Sequence, residues 1–423
     1  MRAALLLATL LLLAGCTTRE RVNPLDPKNE QTGGALVGFN AIAANGVVEL
    51  RWPELPLNGL VGYRIQRWKP GEPPEYLRSS DYAPTTIAAE DSGVANDSTY
   101  VYRLIAHLAG GDSALSAPDT ATPGTRQIFL LEADIPALTR LTPDARDFLY
   151  QLASDKSYAD LELDKKHGVL WVSADDAGLV LKKSFEGATV GEPNPIGTPG
   201  DLTVSNNRGV AWVVSITGQR VVQFGPDLND PAIQRSISGV GHPRVVEAGT
   251  LDPSVWIGND EGEVYRYRAA DGTLETFWSL HAGLIRAIAL DETQGCAWVV
   301  TRETTTGNLY YLNPADTSAT LVLPDLINVV DLAVDHGTGD LWISERAAPQ
   351  LGAGRLSHIT RAGTMIGALT GVEPYGIDVD SLDGTCWATD LHSNRLLHVG
   401  PNGNVLRYSP PLQTPYAVRV YIP

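Results

Sequence analysis

Cysteine is almost missing from this sequence, with 3 among 423 residues. A scaffold stapled by disulfides is therefore excluded, and no Cys/His spacing of the zinc-binding kind occurs. Basic residues are outnumbered, 32 Lys and Arg against 49 Asp and Glu, which gives a formal net charge of -17. So acidic a surface repels a phosphate backbone, so no nucleic-acid partner is expected. Long hydrophobic runs are scarce too. The longest, Ala3 to Leu13, falls short of the roughly 20 residues that cross a bilayer. No extended helical periodicity stands out. What is abundant is turn chemistry, with 41 Gly and 28 Pro beside 43% hydrophobic and 19% charged residues. That composition fits a globular, all-β chain of many short strands. Its length leaves room for about two or three domains.

The N-terminus begins with Arg2 and the apolar run, then ends in Leu13-Ala14-Gly15-Cys16. This order resembles the signal peptide and lipobox of bacterial lipoproteins. The resemblance implies a signal peptide over residues 1–15 and acylation of Cys16. The acyl chains would then hold the protein on a lipid bilayer, each buried CH₂ adding about 0.8 kcal/mol. Thr17 stands where an Asp would imply inner-membrane retention. The resemblance thus implies a cell-envelope protein, lipid-anchored at the outer membrane or cell surface. Residues 16–34 read as the acylated cysteine and a polar, flexible tether. Cys296 and Cys386 sit two residues and one residue before different tryptophans, Trp298 and Trp387. On strands those offsets face opposite ways, so both read as small buried residues rather than a disulfide pair.

Residues 35–124 carry three alternating runs, Val47 to Trp52, Gly62 to Trp68 and Thr99 to His107, separated by turn clusters. Such spacing predicts a β-sandwich. Trp52, Tyr63 within GYRI, Tyr100 and Tyr102 in a Tyr-x-Tyr strand, and Ser113 to Ser116 make the unit resemble a fibronectin type III domain. Trp52, Tyr63 and Tyr102 are expected in its core.

From residue 125 to 423 the chain repeats. Trp171, Trp212, Trp256, Trp298, Trp342 and Trp387 are spaced by 41, 44, 42, 44 and 45 residues. A period of 40 to 45 with several short strands per repeat is a β-propeller signature. Each tryptophan follows an alternating strand such as PGDLTV or VVDLAV, and precedes another such as RVVQF or RLLHV. The ends supply a further repeat. Phe129 lies 42 residues before Trp171, and PYAVRV at Pro415 to Val420 repeats PYGIDV. A C-terminal first strand joined to N-terminal partners predicts seven blades; six blades with loose ends is the alternative. PYGIDVD, then WATD, then NRL, resembles an NHL repeat. Members of that class include scaffolds, ligand sensors and enzymes, so the fold does not give the function.

Lining up the starts of the first strands places Asp160, Asp201, Arg244, Arg286 and Asp331 at the channel mouth, with Gly376 and Ala417 completing the ring. Arg and Asp so placed are expected either to pair with each other or to hold a polar ligand. In the second case the arginines would take a carboxylate and the aspartates hydroxyls. The loops after the second strands are acidic, with Glu132, Asp134, Asp175, Asp176, Asp260, Glu261, Glu303, Glu345 and Asp390, yet none has calcium-loop spacing. No metal and no cofactor is expected. His242, His281 and His392 read as loop residues without a triad order, and no catalytic residue is assigned. The leading expectation is a non-enzymatic binding or scaffold lipoprotein that presents a propeller to an envelope protein or glycan partner. The alternative is a lactonase- or lyase-like enzyme acting on a small polar substrate.

Overall fold

The computed structural model describes residues 34–55, 59–191, 195–225, 233–347, 352–380 and 382–423. The expected signal peptide, Cys16 and all but the last residue of the expected tether lie outside the described residues. The chain divides into two compact units, Met1–Gly124 and Thr125–Pro423.

In the first unit, Asn40–Ala44, Val47–Arg51 and Ala88–Asp91 form one antiparallel sheet. Leu60–Trp68 and Tyr100–Leu108 centre a second, flanked by three short strands. The period-2 pattern sends Tyr63 and Ile65 from one strand and Tyr100, Tyr102 and Leu104 from another into a single core with Leu50 and Trp52. The Trp52 and Tyr63 rings meet edge to face at 5.6 Å. Tyr102 would bury its hydroxyl unpaired, but it donates to Asp91 at 3.0 Å, and Arg67 pairs with the same carboxylate.

Among the described residues, the second unit contains seven four-stranded antiparallel sheets. We name each by the large aromatic residue on its second strand. The first strands run Tyr158–Asp164, Pro199–Ser205, Pro243–Ala248, Leu284–Asp291, Val329–Val334, Pro374–Val379 and Pro415–Tyr421. The last of these pairs with Gln127–Glu132, so the Phe129 sheet is built from both ends of the unit. Each first strand packs beside the next, and Pro415–Tyr421 packs beside Tyr158–Asp164, which closes the ring. This is a propeller-type fold. Closure turns one edge of each sheet, its first strand, in toward the channel and leaves the outer strand as the edge facing outward.

The second strands lie between neighbouring sheets on both faces, which is why they read as unbroken apolar runs such as VLWVSA. All six repeat tryptophans and Phe129 are fully buried. Trp171 packs with Leu202, Val213 and Phe224 of the next sheet, and Trp212 with Val246 and Ile257 of the one after. Directly opposite each ring, the third strand supplies a partner for its face. Lys182 lies 4.5 Å over Trp171, His358 stacks 4.3 Å from Trp342, and His398 stacks 4.0 Å from Trp387. Cys296 and Cys386 are buried and unpaired.

Candidate binding site at the channel mouth

Every first strand breaks register at the same place, near its start. Such a β-bulge inserts one residue and turns it off the ladder. In five strands the inserted residue is Ala159, Arg244, Arg286, Val330 or Tyr416. In the other two the break spans Gly200-Asp201 and Tyr375-Gly376. Together these residues line a cleft of about 430 Å³ at the channel mouth, with Ile216 and Arg302 from the ends of second strands.

The bulge corrects the ring drawn from sequence. Arg244 and Arg286 do not share a level with Asp160 and Asp331, because the arginines occupy the inserted position of the bulge and the aspartates the ladder position after it. Val245 and Ala287 occupy the ladder positions equivalent to Asp160 and Asp331. The expected Arg–Asp pairing around the ring does not form. Arg244 instead pairs with Asp260 of its own sheet at 2.8 Å. Arg302 donates to the Asn328 side chain at 3.3 Å. Arg286 has neither an ion pair nor a hydrogen bond among the described residues. Burial, then the charges of Arg286 and Arg244, push the Arg302 guanidinium below its usual value. Three guanidinium groups thus crowd one side of the mouth in a strongly acidic protein.

The aspartates hold sheets together. Asp160 accepts from the backbone N–H of Leu161 in its own strand and of Leu202 in the next, at 2.8 and 3.0 Å. Asp201 accepts from Val246 at 2.7 Å, and Asp331 from Leu332 and Ile377 at 2.9 and 3.0 Å. Asp378, one level deeper, does the same for Val379 and Val420, at 2.9 and 2.6 Å. An aspartate is the shortest side chain that can reach both a local and a cross-sheet donor. Burial nevertheless dominates their titration. It pushes Asp160 and Asp378 up to about 6 and raises Asp331, and with the charge of Asp160 it raises Asp201 further.

Arg419 is the basic group at the centre. Its guanidinium pairs with Glu162 at 2.7 Å and approaches Asp160 at 3.8 Å. Burial pulls it down, but Glu162, Asp160, Asp378 and Asp331 outweigh burial and hold it well above its usual value. Alignment of strand starts stopped at Ala417, two residues short of it. Arg302 was missed for a similar reason. It lies four residues after Trp298, where Trp171 and Trp256 are followed by Asp175 and Asp260. That offset was the available signal. On the opposite wall, Tyr375 and Tyr416 meet edge to face at 6.5 Å; Arg346 covers Tyr375, and Tyr416 donates to the Tyr158 carbonyl at 2.7 Å.

Several of the acidic loop residues are engaged by the protein itself. Glu345 pairs with Arg355 and accepts from Ser357 at 3.2 Å. Asp390 caps Glu373 and Ser393, and Glu132 accepts from Gln151 at 2.8 Å. Among the described residues one group has metal-like spacing, Asp380, Asp383 and His398. Arg126 donates to both carboxylates, so a positive charge is already in place there. His242, His281 and His392 are exposed, and His281 lies 3.1 Å from the Ser279 hydroxyl.

No protein-family model matches this sequence, and no curated protein sequence matches it. Solved structures do match. A functionally unknown protein from Desulfotomaculum acetoxidans superposes with a TM-score of 0.59 at 11% identity, over 70% of this chain and 99% of its own. A chain of Kuenenia stuttgartiensis hydrazine synthase gives 0.54 at 13% identity, over 63% and 90%. A chain of the nidogen/laminin complex gives 0.46 at 12%, over 70% and 98%. At these identities the likeness is one of fold.

Proposed function

We propose that this chain is a lipid-anchored, extracytoplasmic binding protein. Cys16 carries the anchor, a fibronectin type III-like module follows, and a seven-bladed, NHL-like propeller presents its mouth to an anionic partner, of which an acidic glycan is the leading class. The observation that carries the reading is Arg286, a guanidinium without an acid partner among the described residues, beside Arg244 and Arg302. Guanidinium groups bind carboxylates in a bidentate, charge-assisted fashion. A cleft of about 430 Å³ falls in the range of small-ligand sites, roughly 300–1,000 Å³. Binding is favoured over catalysis because the carboxylates nearest the cleft are engaged with backbone N–H groups, whereas a general base must reach substrate.

The test is an array of acidic and neutral glycans probed with the soluble protein and with its Arg244→Ala/Arg286→Ala double variant. Retention of acidic glycans by the parent alone, with equal melting temperatures, is the expected result. Indifference of binding to the double substitution would remove the reading.

A further inference from the structure

Below the mouth lies a second cavity, of about 240 Å³. Asp201, Arg286, Asp331 and Arg419 line both cavities, so the two meet across one layer of side chains. The groups found in only one of the two cavities differ in charge. Arg244 and Arg302 line only the upper one, beside the shared Arg286. Below it Glu162, Glu247 and Asp378 face the channel, and Arg419 already serves Glu162. Glu247 has no hydrogen bond or ion pair among the described residues, and burial followed by the charges of Glu162 and Asp201 raises its pKa well above the usual value. The equivalent positions in the next two sheets are Ala289 and Ala333, which leave the space beside it open.

We infer that the channel takes a zwitterion, with a carboxylate on the arginines of the mouth and an ammonium group beside Glu247 below. The inference rests on the reading of the mouth as a binding site. A simple anion would satisfy the arginines but leave Glu247 without a charged partner. A simple cation would satisfy Glu247 but leave the arginines of the mouth unmet. A ligand with both charges meets a complement at each level. The separation follows from the strand. Arg244 and Glu247 stand three residues apart on one strand that contains a bulge, which at 3.3 Å per residue gives about 7–10 Å. The ligand is therefore an ω-amino acid in outline, such as an amino-sugar acid or a short peptide end, rather than a compact α-amino acid.

Titration calorimetry at low salt on the soluble chain tests this with three isosteres: 6-aminohexanoate, hexanoate and hexylamine. We expect 6-aminohexanoate to bind about tenfold more tightly than either of the others. Glu247→Gln should remove that advantage and leave hexanoate unchanged, while Arg286→Ala should weaken both. A melting curve for each variant shows that the ring is intact. Equal affinity for hexanoate and 6-aminohexanoate, both lost in Arg286→Ala, overturns the zwitterion and leaves the anionic mouth standing. No heat from any of the three, in a protein that still retains acidic glycans, also overturns it. Failure of the glycan test as well would bring down the reading beneath it.

Discussion

Two positions face each other on the same rung of every sheet, and they could hardly differ more. On the second strand stand six tryptophans and Phe129, all buried. Opposite them on the first strand stand Glu162, Thr203, Glu247, Ala289, Ala333, Asp378 and Arg419. The first set repeats because each ring fills the same gap between the same pair of sheets. The second set faces the channel, where packing imposes no common size. Identity at one position fixes the frame, and diversity at the other gives each sheet its own chemistry. The contrast continues one level up. Aspartate latches tie the Trp171 sheet to Trp212, Trp212 to Trp256, and Trp342 to Trp387. Val245 and Ala287 stand where the Trp256 and Trp298 sheets would carry them, and the arginines cluster on those two sheets. The arginines thus sit on two of the four sheets that lack an aspartate at this level, Gly376 and Ala417 standing there in the other two.

The sharpest way to break this comparison is to hollow out the repeated side. Trp212→Ala removes a fully buried ring from between two sheets. Substitutions of that kind cost about 3–5 kcal/mol. Calorimetry should show a lower transition for the propeller unit and an unchanged one for residues 34–124. An equally small effect at Trp212 and at an outer-strand residue such as Leu321, which is exposed, would mean that the rings do not carry the frame.

A latch should cost less than a ring. Asp331→Ala strands the N–H groups of Leu332 and Ile377, and an orphaned buried donor costs about 1–3 kcal/mol. Hydrogen exchange should rise at Ile377 and leave Val246 protected, since Asp201 holds the latter. Uniform exchange around the ring would show that the latches are redundant.

Smaller still is the stability effect expected on the other side of the comparison. The Arg244–Asp260 pair is about two-fifths exposed on each side, and pairs so exposed contribute about 0–1 kcal/mol. Arg244→Ala and Arg286→Ala should therefore melt like the parent while losing anionic ligands. Loss of stability without loss of binding would assign these arginines to the frame.

These contrasts also mark what the sequence made legible. The ring positions were readable because tryptophan is rare and its spacing survives variable loops. The closing strand was readable because PYAVRV repeats PYGIDV. The mouth was only partly readable. Arg244 stands 12 residues before Trp256 and Asp160 stands 11 before Trp171, and at a bulge that one-residue offset separates the inserted position from the ladder position after it. Arg419 escaped because it lies at the level of the non-repeated side chains, where no repeat points to it. The latching role of Asp160, Asp201 and Asp331 was hidden because their partners are backbone N–H groups of other repeats, which no side-chain pattern records.

The smallest effect is the most specific to the channel. Asp378 is held at about 6, against an ordinary value of 3.8, chiefly by burial, with Arg419 and the Val420 N–H opposing and Glu162 adding to the rise. A carboxylate whose folded pKa is raised contributes stability that is present below the ordinary value and lost as pH climbs through about 6. His398 slopes the other way. Burial lowers it to about 4 from 6.5, so its contribution is present above 6.5 and lost as pH falls through about 4. In the parent the two slopes overlap between about pH 4 and 6 and partly cancel. Asp378→Asn removes one of them. The variant should lose ground to the parent at pH 4.5, or match it, and gain on it at pH 7.5. Because Asp378 is only partly buried, the swing should be about 1 kcal/mol, or about 2 °C in melting temperature for a unit of this size. A swing of the opposite sign would mean that Arg419, rather than burial, governs Asp378, and that the channel stabilises charge instead of merely tolerating it.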